Sequence, residues 1–466
     1  MINFASVIES ISNFLYTYIL IAILILLGVY FTFKCNFVQF RYIKEMFRLL
    51  GDGGGSGEKE EGHVSSFQAF CISTASRVGT GNLAGIAIAI SLGGPGAIFW
   101  MWCIALIGAA SSFVESTLAQ IYKEKDDTGA YKGGPAYYIE KGLKKRWLGV
   151  TFSILITLSF GLIFNSVQSN TISIAINEAF GVSRLAVGIV LMIITAIIIV
   201  GGVQRVAKVS GVLVPVMAVA YILVALFVMV KNYNEIPRII ALIFENAFGI
   251  KQVVGGSLGG VMLIGIKRGL FSNEAGMGSA PNAAAAATVS HPVKQGLIQT
   301  LAVFNDTLII CSCTAFIILL SDVDLTQGLT GIQLTQNALS SHIGSFGSTF
   351  IAICILLFAF SSIVGNYYYG ESNIEFLTDK KSYLTIYRIG VALMVLFGSV
   401  ASLEVVWNLA DVFMAIMAII NLIAITMLSK FAFKALEDYT KQKKAGIKDP
   451  VFKAESIPEL ENVTEW

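Results

Sequence analysis

Charge is scarce in this chain: only 13% of its 466 residues are Asp, Glu, Lys or Arg, against 55% hydrophobic. That balance, with a mean hydropathy of +0.75, excludes a soluble globular protein of this length. The deficit is concentrated. No charged residue occurs in 10–33, 78–114, 147–177, 209–230, 325–370, 389–403 or 412–429, and each run reaches or approaches the roughly 20 apolar residues that cross a hydrocarbon core. Histidine is scarcer still. His63, His291 and His342 are scattered, so no proton relay or metal cluster of imidazoles forms. Zinc motifs and nucleophile elbows are absent, which argues against a membrane enzyme. Six cysteines lie in or beside apolar runs without ligand spacing and read as packing residues. A net charge of +2 with dispersed basic residues gives no surface for nucleic acid.

What is present is an all-α polytopic membrane protein. Apolar runs and turn residues predict eleven spans, at about 14–33, 67–92, 96–121, 149–177, 185–202, 209–230, 252–285, 296–320, 347–370, 384–401 and 405–429. The first run has no basic residue before it and no cleavage site after it, so it reads as a retained helix. Lys and Arg crowd the loops after the first and third spans and the tail from Lys430, whereas the other side has only Arg184, Lys231, Arg238 and Lys251. The expected topology has the N-terminus outside and the C-terminus in the cytoplasm of a cell whose plasma membrane the protein spans. The Gly-rich acidic stretch 51–63 reads as a flexible linker and the tail as partly disordered.

Two spans contain glycine-rich polar interruptions. One is Arg77-Val-Gly-Thr-Gly-Asn-Leu-Ala-Gly85, within a break from Ser76 to Asn82; the other runs from Lys267 to Asn282. Gly79, Gly81 and Ala84 match a dinucleotide-binding spacing, but no strand precedes them and the next carboxylate is Glu115, which excludes that reading. Irregular backbone in a membrane is tolerated where it lines a cavity. With the first helix set aside, the breaks open two groups of five spans. Odd-numbered halves run inverted, the plan of inverted-repeat transporters, whose broken helices free carbonyls for a cation and N–H groups for an anion. A channel would need a repeated filter around a pore, which two unlike breaks do not supply.

The stretches "RVGTGNLAGIAIAISLGGPGAIFWMW", "GGPAYYIEKGL", "IKRGLFSNEAGMGSAP" and "FAFSSIVGNYYYGESN" resemble signatures of the alanine or glycine to cation symporter family, of the amino acid-polyamine-organocation superfamily. The resemblance implies a leucine-transporter-like 5+5 inverted repeat with one extra helix. Its parts would be 1–33, a cytoplasmic linker 34–65, repeats 66–231 and 252–430, and a cytoplasmic tail 431–466. It implies uptake of small neutral amino acids, alanine or glycine, with Na+ or in some members H+, and no cofactor. By the same resemblance Gly79, Thr80, Gly81 and Asn82 would hold the substrate carboxylate. Gln168, Phe271, Ser272, Asn273, Ala275, Gly276 and Met277 would contact the rest, and Ala75, Val78, Ser361 and Ser362 the sodium ion. Asn366 departs from the Trp of many members, which opens the site to a larger polar substrate such as glutamine or serine; Ser76 and Arg77 also depart. Lys267 and Arg268 are expected to pair with Glu115 or Glu274 and lock the broken helix. Arg77 is expected to form a salt bridge or a gate.

Overall fold

The computed structural model describes residues 4–51, 64–126, 129–200, 202–248, 258–325 and 328–466. The stretch 52–63, most of the expected linker, lies outside them; just before it the chain is helical over Val38–Arg41 and Ile43–Gly51. Thirteen labelled helices position the site: α1 (Val7–Lys34), α2 (Ser66–Arg77), α3 (Gly81–Gly93), α4 (Gly96–Ile121), α5 (Arg146–Phe180), α6 (Arg184–Ile199), α7 (Gly202–Lys231), α8 (Leu258–Asn273), α9 (Ala280–Ala286), α10 (Pro292–Leu319), α11 (Phe346–Leu377), α12 (Lys381–Val400) and α13 (Leu403–Lys444). Among the described residues the one sheet is a short hairpin, Glu124–Lys125 with Tyr131–Lys132.

Seven of these helices are long and apolar enough to cross a membrane, and an eighth span results if Pro215–Lys231 is joined to Tyr233–Phe248, bent 78° from it. The molecule is a helical polytopic membrane protein. Its surface confirms that solvent is lipid: α6 exposes Leu185, Ile189, Ile193 and Ile197, an i, i+4 stripe that water would penalise. Polar groups are inside instead. Asn82, Glu115, Gln168, Gln299, Asp306 and Asn366 are all completely or almost completely buried, so each must find partners within the bundle.

Both expected breaks are present. A capping box starts α2, with Ser65 and Gln68 exchanging bonds of 2.8 and 3.1 Å. The helix stops at Val78, whose backbone is extended (φ −79°, ψ 91°), and α3 resumes with a π-helical turn over Gly81–Gly85. The second break separates α8 from α9. There the chain takes left-handed residues at Glu274 (φ 55°), Gly276 (φ 81°) and Gly278 (φ 87°). Glycine meets that demand without strain at two of the three positions, and Glu274 is tied down by Ser76 and Ser279 at 2.7 and 2.5 Å.

The tail corrects the expectation of disorder. α13 continues to Lys444, and the charges that suggested solvation instead form pairs, Lys434 with Glu459 and Lys144 with Glu461. Phe452 and Ile457 are buried, and Trp466 donates its indole N–H to the Gln120 carbonyl at 2.8 Å. Residues 452–466 thus strap the ends of α4 and α10, since Phe452 N–H also binds the Ser290 carbonyl at 2.9 Å. Burial of two apolar side chains and an indole stabilises by about 3–6 kcal/mol. Removing 452–466 is expected to lower the Tm of purified protein by roughly 5 °C or more; an unchanged melting curve would show that the strap contributes nothing.

Candidate functional site

The two breaks lie against each other, and absence of side chains is what allows it. A Cβ on Gly79 would fall 2.2 Å from Ser362 Oγ and 2.8 Å from Gln168 Oε1; one on Gly81 would fall 3.1 Å from both the Phe271 ring and the Ser272 Cα. The predicted residues Gly79, Gly81, Gln168, Phe271, Ser272 and Ser362 are therefore neighbours, brought together from the first break, α3, α5, α8 and α11.

At the start of α3 the backbone N–H groups point away from any helical acceptor, as at every helix N-terminus. Gly79 N–H donates to Asn82 Oδ1 at 2.9 Å, and Thr80 N–H donates to Gln168 Oε1 at 3.0 Å. These amide oxygens stand where the oxygens of a bound carboxylate would accept. Of the polar cluster on α5, Gln168 alone reaches the break. Asn165 bonds back to the Gly161 carbonyl at 2.9 Å, and Asn170 ties α5 to the end of α12 through the Gly398 carbonyl at 2.9 Å.

Beside Gly79 a second constellation faces the end of α2. Ser362 Oγ donates to the Ala75 carbonyl at 2.7 Å and lies 3.4 Å from the Val78 carbonyl. Carbonyl and hydroxyl oxygens gathered in this way are of the type that a hard cation takes as ligands. Ser361 differs in its shorter own-helix bond: its hydroxyl donates to Phe358 O at 2.8 Å, a carbonyl that Ser362 Oγ also approaches at 3.1 Å. Asn366, one turn along α11 from Ser362, has its side-chain amide 2.7 Å from Ser76 Oγ; the one Ser76 hydroxyl proton goes to Glu274, so the amide meets Ser76 as a donor.

The second break divides. Phe271 and Ser272 face the first break, but Gly276 N–H and Gly278 N–H both donate to the Glu115 carboxylate, at 3.0 and 3.1 Å. Ala275 packs on Ala105 and Ala109 of α4, Met277 is fully buried, and Asn273 Oδ1 accepts from Ala275 N–H at 3.0 Å. Glu115 thus fills the anion nest of the second break with a side chain of the protein itself.

Two carboxylates that the sequence reading did not single out organise the site. Asp306, fully buried in a π-helical turn of α10, accepts from Asn82 Nδ2 at 2.7 Å, Ser272 Oγ at 2.8 Å and Thr307 Oγ1 at 2.9 Å. It joins the first break to the second. Asp411 on α13 corrects the expected pairing of the basic residues: Arg268 binds it at 2.6 Å and Lys267 at 2.9 Å, and neither reaches Glu115 or Glu274. Both acids were visible as lone charges in apolar runs, a signal that marks intramembrane functional groups. Arg77 makes no ion pair among the described residues; it donates to Gln299 at 3.1 Å and Ser112 at 3.5 Å, completely enclosed at the end of α2.

Aromatic rings seal one side of the site. Tyr369, Phe160, Phe164, Phe271 and Trp407 form a column with successive centroids 5.5, 4.4, 4.8 and 4.5 Å apart. Beyond Trp407 opens a cavity of about 600 Å³ whose lining includes Glu9, Lys267, Arg268, Glu404 and Asp411.

Comparison with known proteins agrees with this geometry. The family model described as the sodium:alanine symporter family matches residues 1–454. The probable sodium/glutamine symporter GlnT of Bacillus subtilis is 59% identical over 98% of this chain and 94% of its own. The amino-acid carrier protein AlsT of the same organism is also 59% identical, over 99% and 98%. In three dimensions the crystal structure of MhsT in complex with L-phenylalanine superposes with a TM-score of 0.59 at 15% identity, covering 83% of this chain and 99% of that one, a likeness of fold. Two interrupted helices meeting over a buried polar centre, and sequence kinship that runs the whole length, lead to one conclusion: the chain belongs to the sodium:alanine symporter family and is a transporter, not an enzyme.

Proposed function

We propose that the protein carries a neutral amino acid into the cell together with Na+ by alternating access. The observation that carries this reading is the meeting of the two breaks at Gly79, Gly81, Phe271 and Ser272, with the Ala75 and Val78 carbonyls and the Ser362 hydroxyl beside it. In this reading eleven spans form one leading helix and two inverted five-span halves, 66–231 and 252–430. The N-terminus is outside, and the strap formed by 452–466 lies in the cytoplasm.

The substrate carboxylate takes the N–H groups at the start of α3, displacing Gln168 Oε1 from Thr80. Gln168 then turns its amide to the bound zwitterion. Phe164 and Phe271 bound the side-chain end, and this small apolar wall suits alanine or glycine. Sodium binds on Ala75, Val78 and Ser362, with Ser361 joining after its hydroxyl leaves Phe358. Because the ion holds α2 to α11, its binding favours the arrangement in which the break is shaped for substrate.

A second reading, transport of glutamine or serine, is favoured by the small, polar and buried side chain of Asn366 beside the break and by the name of the GlnT relative. Inhibition of one labelled substrate by alanine, glycine, serine and glutamine in liposomes, under a Na+ gradient and then a pH gradient, separates these readings and the coupling ion. Gln168→Ala is expected to weaken substrate binding about tenfold, the scale of a lost hydrogen bond to a charged group. Unchanged affinity would remove Gln168 from the site. Asn366→Trp is expected to narrow the spectrum to alanine and glycine; an unaltered spectrum would show that this position is not a pocket wall.

A further inference from the structure

The cavity beyond Trp407 has a polarity of its own. Its floor carries two cations, Lys267 and Arg268, facing a single carboxylate, Asp411. One positive charge is left over in a buried place, where an uncompensated charge is costly. Two donors there also lack acceptors among the described residues: Arg268 Nη1 and Trp407 Nε1 are buried and unbonded, both residues being at most 5% exposed. A buried unsatisfied donor costs free energy unless a ligand or water takes it. The Arg268 guanidinium is otherwise well fixed, bonded to Asp411 at 2.6 Å and stacked 4.6 Å from the Trp407 ring. At the mouth the sign reverses. The remaining charged groups of the lining, Glu9 on α1 and Glu404 on α13, are exposed carboxylates.

A cationic floor with spare donors below an anionic mouth complements a zwitterion. We infer that this vestibule is a second binding subsite, which takes the α-carboxylate of an amino acid on Arg268 Nη1 and Trp407 Nε1 and its ammonium toward Glu404 and Glu9. Resting on the symport reading above, it has a consequence for gating. The carboxylate competes with Asp411 for Arg268, and Arg268 lies five residues from Asn273, the last residue of α8 before the second break. Arrival of substrate in the vestibule therefore loosens the ion pair that holds α8 to α13, directly above the Phe271 and Trp407 rings that cover the central site.

In the subsite Lys267 and Arg268 themselves supply the positive charge that meets the carboxylate, so it binds without Na+. The test is equilibrium binding of labelled L-alanine and L-glutamine to the purified full chain in lipid nanodiscs, in Na+-free medium, beside Na+-driven uptake by the same preparation in liposomes. Saturable Na+-free binding is expected, displaced by propionate but not by alaninamide, which lacks the carboxylate. Trp407→Phe, which keeps the ring column and removes only the N–H, is expected to weaken it severalfold, and Lys267→Gln about tenfold. Uptake with no Na+-free binding overturns the subsite while leaving symport standing. So does binding that both variants retain in full, or that alaninamide or chloride displaces as well as alanine does. Failure of uptake under any cation gradient is the separate failure of the transport reading.

Discussion

Replacing Asp306 with asparagine is expected to reduce amino-acid uptake at least 100-fold. The carboxylate accepts three hydrogen bonds, from Asn82, Ser272 and Thr307, and so ties the first break to the second. Asparagine presents an N–H2 where one carboxylate oxygen accepted: either it meets the Asn82 amide donor, or the Ser272 and Thr307 hydroxyls must turn from donating to accepting, in a completely buried site. Each hydrogen bond to a buried charged group is worth about 1.5–3 kcal/mol, so losing two of them changes by on the order of 100-fold or more any equilibrium that needs both breaks aligned. Initial uptake rates per reconstituted molecule, with size-exclusion profiles to show that the variant is assembled, provide the measurement. A properly assembled variant transporting within about threefold of the parent would show that the breaks do not depend on this joint.

Two adjacent serines should behave differently. Ser362→Ala is expected to raise the Na+ concentration for half-maximal uptake about tenfold or more, because its hydroxyl is the one that meets the Ala75 and Val78 carbonyls. Ser361→Ala should shift it by roughly threefold at most, since its hydroxyl must first give up the bond to Phe358 and its net gain on binding the ion is small. Sodium activation curves at fixed substrate decide the matter. Equal shifts for both serines would place the ion elsewhere along α11, and no shift for Ser362 would remove the site.

How much of this could be read from sequence depended on the range of the interaction. The breaks were legible because their cause is local: Gly79 and Gly81, then Gly276 and Gly278, cluster with polar residues inside apolar runs, where irregular backbone is tolerated only if it is buried in protein or lines a cavity. Gln168 was legible as an amide in an apolar run. The partners across the bundle were not. Lys267 and Arg268 find Asp411 more than 140 positions away, and no spacing rule connects α8 to α13. Glu274, a few positions on, and Glu115, no nearer in sequence than Asp411, were the candidates, but the left-handed turn of the second break draws them to its backbone N–H groups and to hydroxyls. Composition misled for the tail, because Glu459 pairs with Lys434 within it and Glu461 with distant Lys144, pairings that only the fold supplies.

The central claim is that one amino acid and Na+ move together through the paired breaks. Its most direct test is simultaneous uptake of radioactive sodium and a labelled amino acid, alanine or glutamine, by liposomes containing the purified protein. The account predicts that each flux requires the other substrate and that an inward Na+ gradient drives accumulation against the amino-acid gradient. Amino-acid uptake that proceeds unchanged without Na+, or sodium entry indifferent to the amino acid, would contradict it.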